Sequence, residues 1–178
     1  LFEFDNKTKA ISKVQSDLPF ENFRIQDIIQ TQDSAIIIGT KAHGLFIWKN
    51  NVVTNITLDS GLLSNTINML IFDEETNKIW VATNNGVSTL SQINNGSWKP
   101  ISVITKYDAL TSVDIRQIAI HKGFILMANN TGVSKVSLNQ LNKKLPPPYM
   151  YLRGLKVNNV VMPINEPLLS FPYDSNTV

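Results

Sequence analysis

The sequence predicts an all-β chain: a tandem repeat of about three four-stranded units, followed by the start of a different β unit. Three observations carry this. Of the 178 residues 20 are Asn, many of them in pairs: Asn50-Asn51, Asn84-Asn85, Asn94-Asn95, Asn129-Asn130 and Asn158-Asn159. Asn tolerates the left-handed backbone region and hydrogen-bonds its own main chain, so such pairs punctuate short strands. Between them lie runs of about five residues rich in Ile, Val and Thr, which have the length and composition of strands. Finally, the chain resembles itself at a fixed spacing.

The elements follow in order. Residues 1–6 line up with residues 45–50, so the chain enters partway through a unit. The first full copy runs over 25–29, 35–40 and 44–48, the second over 67–72 and 79–90, and the third over 115–120 and 125–136. Their starts near 25, 67 and 115 are matched by Gly44, Gly86 and Gly132, which stand 42 and 46 positions apart. A glycine ahead of the third strand of each copy lets the hairpin take a positive φ. The lead-in segments also correspond: residues 60–67 share a Leu, a Ser and a final Ile with residues 108–115. Each copy is a small sheet that cannot bury its own faces, so neighbouring copies must cover them. Trp80 and its counterparts Ile37 and Leu126 are expected between adjacent sheets.

A period of this length is that of a β-propeller blade, and the chain holds half a blade, two blades and most of another, too few to close a ring. Residues 1–145 are therefore expected to be a partial β-propeller. Pro146-Pro147-Pro148 removes backbone donors and marks a boundary. Residues 146–178 read as a second unit: a hairpin over 149–157 and 160–162, turning at Asn158-Asn159, and a further strand at 168–171.

One copy supplies Gly61-Leu62, then Ser64-Asn65-Thr66-Ile67, an acidic turn at Asp73-Glu74-Glu75, and Trp80-Val81-Ala82-Thr83-Asn84-Asn85-Gly86-Val87. This pattern resembles the regulator-propeller repeats of bacterial hybrid two-component sensor histidine kinases. The tail resembles the opening of the Tyr-containing β-sandwich that follows the propeller in those proteins, through Pro147-Pro148, residues 155–159 and residues 171–176, with Asn159 where glycine is common. Ile37 and Leu126 depart from the Trp of the repeat, and Asn129 from its Thr. The resemblance implies an extracytoplasmic, periplasmic sensing region, joined through one membrane helix to a kinase. It implies a polysaccharide fragment as ligand and signalling through the geometry of a dimer. Catalysis by the fragment itself is not expected.

Composition excludes several classes. With 16 basic and 14 acidic residues the net charge is +2, and the basic residues are scattered, so no nucleic-acid platform is expected. The absence of cysteine excludes disulfides, thiolate catalysis and Cys-based zinc sites. No apolar run approaches the length of a membrane span.

His43 and His121, the only histidines, lie apart at turns with no metal-ligand spacing, and no metal or cofactor is assigned. Asp59, Asp108 and Asp114 fall in connections between copies, where a glycosidase pair would sit, but Asp at such places ordinarily caps a turn. Trp48, Trp98 and Tyr107 are the aromatics that could stack on a sugar, against the commoner role of packing between sheets; Trp80 reads as structural. Asn6, Asn55, Asn95 and Asn129 begin sequons that arise by chance in so Asn-rich a chain. No catalytic residue is assigned, and the ligand-binding residues stay unknown. A scaffold for protein partners and a carbohydrate-active propeller enzyme remain open beside the sensor. Unpaired edge strands lead us to expect self-association.

Overall fold

The computed structural model describes residues 2–13, 18–93, 96–108, 110–141, 155–157 and 160–162. The chain divides into two compact units, 1–142 and 143–178. The division falls three residues before the boundary expected from the proline run.

The first unit is all-β apart from one short helix. A hairpin of β1 (Phe2–Phe4) and β2 (Ile11–Lys13) comes first. A four-stranded antiparallel meander follows, formed by β3 (Ile25–Gln30), β4 (Ile36–Thr40), β5 (Leu45–Lys49) and β6 (Val52–Ile56). The second meander repeats it with β7 (Ile67–Asp73), β8 (Lys78–Thr83), β9 (Gly86–Gln92) and β10 (Trp98–Ile104). The third sheet holds three strands among the described residues: β11 (Ile115–His121), β12 (Phe124–Asn129) and β13 (Gly132–Ser137). A single helical turn, α1 (Leu138–Leu141), follows β13. Short 3-10 turns at Leu58–Ser60 and Lys106–Asp108 occupy corresponding places in the two connections between sheets.

Local chemistry accounts for the turns. Asn50 and Asn51 both have positive φ and join β5 to β6 as a two-residue loop, the conformation that a tight primed hairpin demands. In the β7–β8 turn Asp73 accepts hydrogen bonds from the Glu75 N–H, at 3.2 Å, and from the Thr76 hydroxyl.

The three sheets match in irregularity as well as in order. Each innermost strand carries a bulge at its second residue, Gln26, Asn68 or Arg116, where the register shifts. Strand β7 lies against β3 on one side and β11 on the other. The alternation of each second strand then assigns its side chains to two gaps. Ile37 faces the second sheet while Ile38 faces the opposite way, onto Phe20 and Phe46. Ile79 and Val81 face the first sheet, and Trp80 and Ala82 the third. Burying residues of this size removes roughly 1.5–3 kcal/mol of unfavourable hydration each, so the sheets are held mainly face against face. Ile37 and Trp80 do fill the gaps expected of them. Leu126 is half-buried.

In the second unit β14 (Leu155–Val157) and β15 (Val160–Met162) pair antiparallel, Val157 opposite Val160. The proline run, the Asn158-Asn159 turn and the expected strand at 168–171 lie outside the described residues.

Candidate functional site

The residues that carry the repeat signature are engaged in holding the connections. Thr40 and Thr83 donate their hydroxyls to the carbonyls of Gly44 and Gly86, at 2.8 and 2.9 Å, and accept from the N–H of His43 and Asn85, each at 3.0 Å. Asn129 takes the same acceptor role in the third copy, its Oδ1 receiving the Thr131 N–H at 2.9 Å. Ser64 accepts the Thr66 N–H at 2.9 Å, Ser112 takes the Asp114 N–H at 3.4 Å, and Leu62 and Leu110 are buried beneath them. The glycines serve close approach: a Cβ on Gly44 would stand 2.3 Å from the Ile56 carbonyl oxygen, and one on Gly86 2.2 Å from that of Ile104.

The carboxylates of the connections are each engaged locally or exposed. Asp108 accepts the Thr105 N–H at 2.8 Å within its own turn, Asp114 pairs with Arg116 at 2.7 Å, and Asp59 is exposed on a 3-10 turn. Among the described residues no group of three or more His, Asp or Glu could hold a metal ion. His43 lies flat on Phe23, ring centroids 3.7 Å apart, and His121 closes β11. Of the three aromatics considered for sugar stacking, Trp98 has no free face, being 6% exposed and edge-on to Phe72 at 6.3 Å. Trp48 is half-buried beside Phe20, and Tyr107, 86% exposed, has the Lys106 ammonium over its ring at 5.1 Å.

A concavity lies elsewhere, in the gap between the second and third sheets at the end where β7 leaves and β11 finishes. It has a volume of about 950 Å³. One wall is a row of cross-strand partners in the second sheet, Ile71, Trp80, Thr89 and Ser102. Ile118 and Ile120 form the other wall, Leu138 and Leu141 close one end, and the mouth carries Asp73, Glu74, Lys78 and Lys122. Two buried donors on the first wall, Trp80 Nε1 and Thr89 Oγ1, have no hydrogen-bond partner among the described residues. The corresponding row of the first sheet is Ile29, Ile37, Ile47 and Thr54, so the second sheet places an indole N–H and a hydroxyl where the first places two isoleucines. Sequence reasoning identified Trp80 as a packing residue and passed over Thr89. The signal was the swap of Phe46-Ile47 for Ser88-Thr89 between Leu45 or Val87 and Trp48 or Leu90, which stay apolar.

One charged cluster bridges the first two sheets. Asp33 accepts from Lys49 Nζ at 2.6 Å, from Gln92 Nε2 on β9 at 2.7 Å, and from the Thr31 hydroxyl. Burial pushes its pKa up, but the bonds from Lys49, Thr31 and Gln92, together with the Lys49 charge, outweigh burial and hold the carboxyl far below its ordinary value.

No protein-family model matches the chain, and no curated protein matches it either.

Proposed function

We propose that the chain is part of the extracytoplasmic sensing region of a hybrid two-component histidine kinase. In this reading residues 1–145 are propeller blades, and residues 146–178 open the β-sandwich that passes their signal on. The observation that carries the reading is the succession of equivalent sheets. Their second strands pack the same positions into successive gaps, and the signature of the regulator-propeller repeat falls on the residues that build the connections. No catalytic constellation competes with it among the described residues. The Asp residues of the connections are bound within their own turns or exposed singly.

Sheets tied at fixed positions transmit displacement as a body, so a ligand that prefers one arrangement of the blades biases whatever they are joined to. A polysaccharide fragment in the periplasm is the proposed ligand. The test is calorimetric titration of the whole extracytoplasmic region against a panel of oligosaccharides. Saturable binding of one glycan class without turnover supports sensing, hydrolysis supports a carbohydrate-active enzyme, and silence across the panel supports a scaffold for protein partners.

A further inference from the structure

Two side-chain bonds tie β7 of the second sheet to β11 of the third. Asn68 Nδ2 donates to the Ile115 carbonyl at 2.7 Å, and the Ile118 N–H donates to the thioether sulfur of Met69 at 3.3 Å. One sheet earlier the place of Met69 is held by Asp27, whose carboxylate accepts the Leu70 N–H at 2.7 Å. Carboxylates and amides are inert to mild oxidants, whereas a thioether is a weak acceptor whose sulfur takes up oxygen readily. The Met69 sulfur is thus the one atom among these bonds that an oxidant changes. Met69 is half-buried, and Met127, on β12 across the same gap, is fully buried. The gap holds one methionine within reach of solvent and one sealed from it.

We propose that Met69 is a reversible oxidation site, and that its sulfoxide releases one of the two ties between the second and third sheets. The oxidant is a peroxide. A sulfur lone pair attacks one peroxide oxygen, and the S–O bond forms as the O–O bond breaks. The departing hydroxide takes the proton of the transferred oxygen and leaves as water, so the sulfur is oxidised and the peroxide reduced. At 3.3 Å the sulfur is already in contact with the Ile118 nitrogen, and no oxygen fits between them in line. The sulfoxide is also polar where the thioether packed against the apolar cluster of Ile115, Ile118 and Met127. The oxidised side chain therefore turns out of the gap, and the Ile118 N–H loses its acceptor. Asn68 keeps its bond to Ile115, so the sheets stay joined through the remaining tie. Reduction of the sulfoxide restores the lost one. The inference concerns this tie alone and does not depend on the sensing reading.

The experiment treats the folded, ¹⁵N-labelled 178-residue chain with hydrogen peroxide, follows each methionine by peptide mass spectrometry, and reads amide hydrogen exchange before and after. The expected result is oxidation of Met69 at least about tenfold faster than of Met127. Exchange of the Ile118 amide rises at least about tenfold in the oxidised chain, while the Leu70 amide, held by Asp27, keeps its rate. Treatment with the methionine sulfoxide reductases, one for each sulfoxide epimer, returns the Ile118 amide to its first rate. An M69L chain exchanges rapidly at Ile118 with or without peroxide, which sets aside oxidation of Met150 and Met162 as the cause. Equal oxidation rates at Met69 and Met127 overturn the proposal, as does protection of Ile118 that survives in the Met69 sulfoxide. Faster exchange at Leu70 as well as at Ile118 reports general loosening rather than release of one tie, and also overturns it.

Discussion

The carboxylate of Asp27, on the innermost strand of the first sheet, accepts a hydrogen bond of 2.7 Å from the backbone N–H of Leu70 in the second sheet. One sheet further on, the sulfur of Met69 accepts the N–H of Ile118 at 3.3 Å. Asp27 and Met69 hold the same place, just after the bulge, and so do Leu70 and Ile118. An edge N–H that no strand neighbour can reach is thus satisfied in both gaps by a side chain of the preceding sheet. The acceptor is strong in one gap and soft in the other.

Unequal acceptors predict unequal costs. D27A removes the partner of a half-buried N–H and lowers stability by about 1–3 kcal/mol. M69L keeps the volume and forfeits only a weak acceptor, costing less than about 1 kcal/mol. Urea denaturation of the two variants should rank them in that order.

The glycines are predicted to differ although they occupy one position of the repeat. G86A forces a methyl onto the Ile104 carbonyl of β10 as well as an unfavourable φ, and costs about 3 kcal/mol or more; G132A carries the backbone term alone, about 1–2 kcal/mol. Thermal unfolding of both variants, compared at one temperature, checks this.

Acid sensitivity should centre on Asp33. Its folded pKa is depressed, so the stability it contributes is present above the unfolded value of about 3.9 and is lost as pH falls through that value toward the folded one. Stability measured between pH 7 and pH 3 should fall less steeply in D33N than in the parent, with D33N already the less stable of the two at pH 7.

Two buried threonines with opposite surroundings give a paired test. T83V removes a hydroxyl that both donates to Gly86 and accepts from Asn85, and costs about 1–3 kcal/mol. T89V replaces a hydroxyl without a partner and is neutral, or stabilising by up to about 1 kcal/mol. Chemical denaturation midpoints of the two variants read the difference.

The strand pattern was legible because each second strand alternates: Ile37 and Trp80 look one way, Ile38 and Val81 the other, and the sequence repeats that rhythm. The turns were legible because Asn50-Asn51 and Asp73 have few other conformations to offer. The cleft was not, since its walls come from strands dozens of residues apart, and since the state of Trp80 Nε1 and Thr89 Oγ1 depends on what the described residues of the facing sheet place there. Nor could sequence tell Trp98 from Tyr107. Both precede or follow polar residues, and only the register of β10 on β9 turns Trp98 inward while the 3-10 turn leaves Tyr107 in solvent.

The central claim is that successive sheets are equivalent units tied through their innermost strands. Hydrogen exchange at the Leu70 amide tests it most directly, because this N–H points off the edge of its own sheet and its bond is to Asp27. The account predicts exchange at least about a hundredfold slower than for an unstructured amide, with the protection lost in D27A while the β7–β8 ladder stays protected. Exchange at the unstructured rate in the parent chain would contradict it.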